Sequence, residues 1–228
     1  MARSIVFLGL TAVLLAAAPP APAAGAAALS VTVDSFQTGR VIPPIYGFCV
    51  AAAAGRTAPG PNVSPQISWS HGPAGTASYA ILAVDPDVPA AFTDADKEGR
   101  VIPAGVKRRP FYHWVLVDIP PSRTALAEGE DSNGAAAKPA GPTGHGARGL
   151  NDFGDGRAGY DGPCPPWNDA IAHHYHFQVY ALDIAHPPLA AGFTGSDVRN
   201  AIGGHVLAQG EVVGLYALNP AVARTLPR

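Results

Sequence analysis

Two stretches of this chain, residues 79–84 and 112–119, are almost unbroken apolar runs of strand length, the second closed by Pro120 and Pro121. A strand with one solvated face alternates apolar and polar residues; an unbroken run is what a strand covered on both faces needs. The fold is therefore expected to centre on a sheet with something packed on each side. Residues 29–34 alternate like a first strand, 66–70 form a short strand candidate, 173–183 the longest one, and 206–218 a last one. Ser196 reads as the N-cap of a short helix running to Ile202 and stopped by Gly203 and Gly204. With 26 glycines, 24 prolines and few strong helix formers other than alanine, strands joined by long turns are favoured over a helical bundle. Residues 50–60 and the Gly/Ala/Pro-rich 128–149 read as surface loops. No repeat and no shift in composition marks a second domain.

The first residues point to export. Arg3 precedes an uncharged apolar run at 5–18, and Ala21-Pro22-Ala23 and Ala26-Ala27-Ala28 each offer a small-residue cleavage site. The run falls short of the ~20 residues a spanning helix needs, and Pro19, Pro20 and Pro22 prevent its extension. The expected organisation is a signal peptide at 1–23, a flexible lead-in at 24–28 and one domain at 29–228, in a periplasmic or secreted protein without a transmembrane span. A net charge of -2 supplies no polyanion-binding signal, so nucleic acid is not an expected partner. In an oxidising compartment the two cysteines, Cys49 and Cys164, can form one bridge; the alternative is a pair of buried free thiols.

Three polar clusters would be odd in an ordinary sheet. Asp85-Pro86-Asp87 follows the first apolar run, and in an extended segment both carboxylates point to one side, where they can orient an imidazole or share a proton. Asp and Pro are also ordinary strand-end turn residues. His113 opens the second run, at the head of an apolar row with Val115, Val117 and Ile119, where a histidine is more often a satisfied core residue. Gly162-Pro163-Cys164-Pro165-Pro166 precedes His173-His174-Tyr175-His176-Phe177, whose period of two sets His173, Tyr175 and Phe177 on one face and His174 and His176 on the other. His174 and His176 make only two ligands, too few for a metal site. No nucleophile elbow, zinc-protease helix, phosphate loop or dinucleotide fingerprint is present, and no cofactor is implied.

Taken in order, these segments resemble the phosphatidylethanolamine-binding (Raf kinase inhibitor-like) family, in its bacterial exported branch. The matching stretches are NVSPQISW (62–69), SYAILAVDPDVP (78–89), YHWVLVDIP (112–120), GYDGPCPP (159–166), HHYHFQVYALD (173–183) and GHVLAQGEVVGLY (204–216). The resemblance implies a mainly β fold, an antiparallel β-sandwich with a few short helices. It also implies a ligand site for an anion at one end of the sheet, built from Asp85, Asp87, His113, Gly162, Pro165, His173 and Tyr175. The expected function is non-enzymatic binding of a phosphate-bearing small molecule or phospholipid head group, with His113 or His173 as a charged donor. The alternatives are an exported inhibitor or interaction protein acting on a protease or kinase-like partner and, further off, a hydrolase. The family's sharp turn after DPD makes the Val88–Pro89 bond a candidate cis peptide. An inserted loop at about 90–110, carrying Lys107, Arg108 and Arg109, departs from the family pattern, and its charges read as a solvated face.

Overall fold

The computed structural model describes residues 27–53, 56–132, 134 and 136–227; the expected signal peptide lies outside them. The strands are Ala27–Ala28 (β1), Val31–Thr32 (β2), Cys49–Ala51 (β3), Thr57–Pro59 (β4), Ile67–Trp69 (β5) and Ser78–Pro89 (β6). They continue with Arg108–Ile119 (β7), Ala125–Leu126 (β8), Gly141–Pro142 (β9), Ala147–Arg148 (β10), His173–Leu182 (β11) and Val206–Tyr216 (β12). Two short α-helices, Gly195–Ala201 (α1) and Pro220–Ala223 (α2), and a single 3-10 turn at Pro44–Tyr46 complete the described elements. A seven-stranded sheet runs β1-β12-β11-β6-β7-β10-β9, antiparallel except for β1 beside β12; β2-β5-β8 and β3-β4 form two smaller sheets. Among the described residues no helix is long and apolar enough to cross a membrane.

The unbroken apolar runs do serve two cores. On one face of the large sheet Tyr79, Ile81, Trp114, Leu116, Phe177 and Val179 pack with Phe36, Ile42, Ile67, Trp69 and Leu126 from the small sheet and the N-terminal loops. On the other, Ala80, Leu82, Val115, Val117, Tyr180 and Leu182 meet Val198 and Ile202 at the end of α1. Each β6 residue from Tyr79 to Ala83 is buried whichever way it points, so polar residues are excluded from both phases of the strand.

Register is where the sheet departs from simple alternation. Ala83 pairs with Trp114 but Val84 pairs with Tyr112, which leaves His113 as the extra residue of a bulge. Val115 and Val117 face the α1 side, whereas the His113 ring stands edge-on to Tyr175, 5.1 Å away on the opposite side. His113 is therefore not the head of the Val115 row; the bulge re-aims it. A second irregularity, between Asp85 paired with Phe111 and Val88 paired with Arg109, separates Asp85 from Asp87.

Five other expectations are corrected. The end of the lead-in is a short strand, β1, and the loop expected at 50–60 contains the β3–β4 hairpin. The helix is capped by Thr194, with Asp197 closing a capping box, two residues ahead of the expected Ser196. The Val88–Pro89 bond is trans, since the described residues contain no cis peptide; β6 continues through Pro89 by pairing with Arg108, so no reversal occurs there. Residues 128–149 are not simply a surface loop. They contribute β9 and β10 to the large sheet and carry Asp131, Lys138 and His145 into the interior. Asp131 satisfies the Trp114 indole N–H at 2.6 Å, His145 Nε2 at 2.9 Å and Arg148, so polar bonds do there what apolar contacts do elsewhere.

Candidate functional site

Where β6 and β7 leave the double-sided core, a cavity of about 300 Å³ opens between the ends of the strands and the Cys164-Pro165-Pro166 loop. Its wall is formed by Asp85 and Val88 of β6, Arg109, Phe111 and His113 of β7, Asp152 and Phe153, and Phe92 and Asp96 from the 90–110 segment. Aromatic rings make the floor: Phe111 and Phe153 lie 4.9 and 5.2 Å from the His113 ring, centroid to centroid.

His113 is fixed by the loop beneath it. Nδ1 donates to the carbonyls of Asp161 and Gly162, at 2.9 and 3.0 Å, and two carbonyl partners leave Nδ1 only the role of donor. Nε2 is buried and has no partner among the described residues. Burial lowers the pKa of this imidazole, and the nearby Asp85 carboxylate and the two carbonyls only partly oppose it. His113 is thus a neutral ring whose Nε2 carries a lone pair.

The loop is itself held by a buried anion. Asp161 accepts from Asn62 and Asn151 at 2.8 Å each and from Arg157 at 2.8 and 2.9 Å, with Lys138 at 3.5 Å. Burial works against its charge, but Arg157, Lys138 and the two amides hold the carboxyl below the usual range. The next residue, Gly162, donates its N–H to Asn62, and a β-carbon there would run into the Tyr46 carbonyl. Cys164 continues the loop and is bonded to Cys49 of β3 across 115 residues, as the exported reading expects.

Behind the cavity lies an ionic chain. His173 gives one ring nitrogen to Asp85 at 2.6 Å and the other to Asp169 at 3.1 Å, and Arg108 forks onto Asp169 at 2.6 and 2.9 Å. Burial opposes a charge on His173, yet hydrogen bonds to the two carboxylates outweigh it and raise its pKa to about 9. Asp169, against its own burial, is held low by His173 and Arg108. Tyr175 is buried next to His113, its hydroxyl without a hydrogen bond of good geometry.

The matching phosphatidylethanolamine-binding protein model covers residues 32–217. The chain belongs to the phosphatidylethanolamine-binding protein family. Among curated relatives, a UPF0098 protein of Aquifex aeolicus is 34% identical over 194 residues, 85% of this chain and 91% of that one. YbcL of Escherichia coli K12 is 30% identical over 195 residues, 86% and 91% of the two chains. The crystal structure of E. coli YbcL, described as a new member of the mammalian PEBP family, superposes with a TM-score of 0.62 at 29% identity, over 84% of this chain and 99% of that one. CT736 of Chlamydia trachomatis gives 0.57 at 29% identity, over 83% and 97%.

In this chain the seven residues singled out from the sequence fall into distinct positions. Asp85, His113 and Pro165 line the cavity. Gly162 supports His113 from below, and His173 and Tyr175 stand in the second row behind it. Asp87 turns aside to the exposed His174, taking its backbone N–H at 2.9 Å and its ring Nδ1 at 2.7 Å. His173 has both nitrogens committed to carboxylates, so it is not a free donor toward the cavity. His176 pairs with Glu211 on the outer face, and among the described residues no group of three metal-ligating side chains occurs.

The charges of the 90–110 segment depart furthest from expectation. Lys107 is exposed, but Arg108 ends in the buried pair with Asp169, and Arg109 stands on the cavity wall. The Arg109 guanidinium lies 5.9 Å from the Phe92 ring centroid and 5.5 Å from that of Phe111. Its Nη1 donates to the Pro110 carbonyl at 3.3 Å, and among the described residues no carboxylate pairs with it. The segment is pinned by Asn168, whose side chain donates to the carbonyls of Asp94 (2.8 Å), Lys97 (3.3 Å) and Arg100 (3.1 Å). Sequence reasoning missed Arg109, Asp161 and Asp169. Two signals were available: Arg-Arg-Pro adjoins the apolar run that follows DPD, and Asp161 sits inside the GYDGPCPP stretch.

Proposed function

We propose that this protein binds a phosphate-bearing small molecule or phospholipid head group in the Asp85–His113–Arg109 cavity, without turning it over. The observation that carries this reading is Arg109: a cation with no carboxylate partner among the described residues, lying over two aromatic rings, on the wall of a cavity of about 300 Å³ that also presents His113. A guanidinium so placed matches phosphate oxygens in shape and charge. Asp85 enters the site as the group that holds His173, and Pro165 and the disulfide-tethered loop give it a rigid edge. The Cys49–Cys164 bridge fits an oxidising compartment, and with the leader-like first residues it supports export to the periplasm or beyond. Calorimetric titration of phosphoethanolamine, followed by analysis of the recovered compound, tests the reading. Saturable one-site binding with the compound intact is expected; no heat of binding, or released phosphate, would replace it with the interaction-protein or hydrolase alternative.

A further inference from the structure

Among the polar groups lining the cavity that is proposed to take a phosphate, acceptors predominate. Asp85, Asp96 and Asp152 bring carboxylates from three different segments, and Arg109 is the lone cation on the wall among the described residues. Each carboxylate already takes one backbone N–H: Asp87's by Asp85 (2.8 Å), Trp167's by Asp96 (2.9 Å) and Tyr112's by Asp152 (2.9 Å). None of these bonds removes the negative charge. His113 adds another acceptor: its Nδ1 is turned onto two carbonyls and must donate there, which leaves Nε2 unpartnered on a ring of the wall. The groups packed around this ring are Asp85 from β6, Asp152 and Phe153 from the following loop, Phe111 from its own strand and Tyr175 from β11; His173 lies beyond, tied to Asp85.

One hydrogen is missing from such a site. A phosphate dianion would bring two charges and no hydrogen to a wall holding a single guanidinium and three carboxylates, of which only Asp85 is paired with the His173 cation behind it. A phosphodiester brings one charge, which Arg109 can match, but it also has no hydrogen for Nε2. A singly protonated phosphomonoester has both: unprotonated oxygens for Arg109 and a P–O–H that can donate to Nε2. We propose that the cavity selects phosphomonoesters in their singly protonated form over phosphodiesters, with Arg109 matching the charge and Nε2 of His113 accepting the ligand's own hydrogen. The proposal rests on the phosphate-binding reading above and names its substrate class. It favours a free phosphomonoester or a monoester lipid head group such as phosphatidic acid, and disfavours diester head groups such as that of phosphatidylethanolamine. The reduced basicity of the buried His113 acts in the same sense, because protonating Nε2 to suit a diester works against burial.

The test is a pair of probes of equal charge. Near pH 5, monomethyl phosphate is mostly a singly protonated anion and dimethyl phosphate is an anion with no P–O–H, the second phosphate ionisation lying at about pH 6. Calorimetry of the full-length mature protein is expected to show monomethyl phosphate binding about tenfold or more tightly, the cost of one unsatisfied buried acceptor. Its affinity should then fall as the pH rises through about 6. The 15N resonance of His113 Nε2 should remain that of an unprotonated, hydrogen-bonded nitrogen in the complex. Equal binding of the two esters, tighter binding of dimethyl phosphate, or an imidazolium signal in the dimethyl phosphate complex would overturn the proposal while leaving phosphate binding intact. If neither ester binds, the phosphate reading falls and the proposal with it. Two further arms separate the sources. Retention on phosphatidylcholine vesicles doped with phosphatidic acid, reversed by monomethyl phosphate, indicates the lipid form. Binding of soluble phosphoethanolamine without vesicle retention indicates the free form. Retention on phosphatidylethanolamine vesicles but not on phosphatidic acid vesicles overturns the proposal.

Discussion

Asp85 and His173, 88 residues apart in the chain, meet at 2.6 Å in the interior, and the far nitrogen of the same ring reaches Asp169 at 3.1 Å. Two carboxylates on one buried imidazole make it a cation, and Arg108 supplies a second cation to share Asp169. The cavity is thus backed by an alternating ionic chain that orients Asp85 without touching the cavity's contents.

This chain ties stability to pH. The folded-state pKa of His173 is raised from 6.5 to about 9, so its contribution is complete below about 6.5 and is lost as pH climbs through about 9. Asp169 behaves oppositely: lowered from 3.8, it contributes above that value and loses its contribution on acidification. Urea unfolding across pH 4–10 should show a loss on the order of 3 kcal/mol between about pH 6.5 and 9.5 that the His173→Gln variant lacks. A stability flat through that alkaline window in the wild type would contradict the charged His173.

Removing one member of the Arg108–Asp169 pair strands the other. Arg108→Ala leaves Asp169 with only His173 as a cationic partner, beside the Ile171 N–H, and is expected to cost roughly 3–5 kcal/mol of unfolding free energy. The exposed neighbour substitution Lys107→Ala should stay within about 0.5 kcal/mol. Chemical denaturation of both variants checks this, and similar small effects would mean the buried pair is energetically idle.

Gly162→Ala forces a methyl group against the Tyr46 carbonyl, in a loop whose other face carries His113. The expected result is about 1–3 kcal/mol of destabilisation together with weakened phosphoethanolamine binding. Pro163→Ala, one residue on, keeps the Asp161 and Gly162 carbonyls and is the control. Thermal melts and calorimetry on the two variants would show whether the close approach at Gly162 matters.

The Cys49–Cys164 bridge closes a separation of 115 residues, for which chain entropy allows up to about 4–5 kcal/mol. Exported protein should resist alkylation until reduced, by intact mass. The Cys49→Ser/Cys164→Ser double variant should unfold at markedly lower denaturant. Free thiols in native exported protein would contradict the bridge.

Arg109→Gln keeps a polar, though shorter, side chain but removes the cavity's cation. Phosphoethanolamine affinity should drop about tenfold, with unfolding free energy changed by no more than about 0.5 kcal/mol. Unchanged affinity would place the ligand's charge elsewhere.

The strands of the large sheet could be read directly from the chain, because a strand buried on two faces must be apolar at every position, and residues 79–83 and 114–117 are. The polar elements DPD, HW, GPCPP and HxY were legible for the complementary reason: in a sheet so apolar, ionisable residues at strand ends stand out. Local spacing also placed His173 and Tyr175 correctly on one face, since β11 keeps its register with β12 over that stretch. What the chain did not show was the irregular pairing of β6 with β7. Alternation assigned His113 to the Val115 row and Asp87 to the side of Asp85, and the shifts between Ala83 and Val84 and between Asp85 and Val88 undid both. A bulge is a property of two strands taken together, so neither strand alone reports it. The same holds for Arg108 and Arg109, which read as loop charges until pairing with Val88 and Pro89 extends β7 through them. It holds again for the buried polar residues of 128–149, whose burial depends on partners that lie beyond any local window. Local composition decides whether a segment can be buried; only the partner strand decides which way its side chains then point.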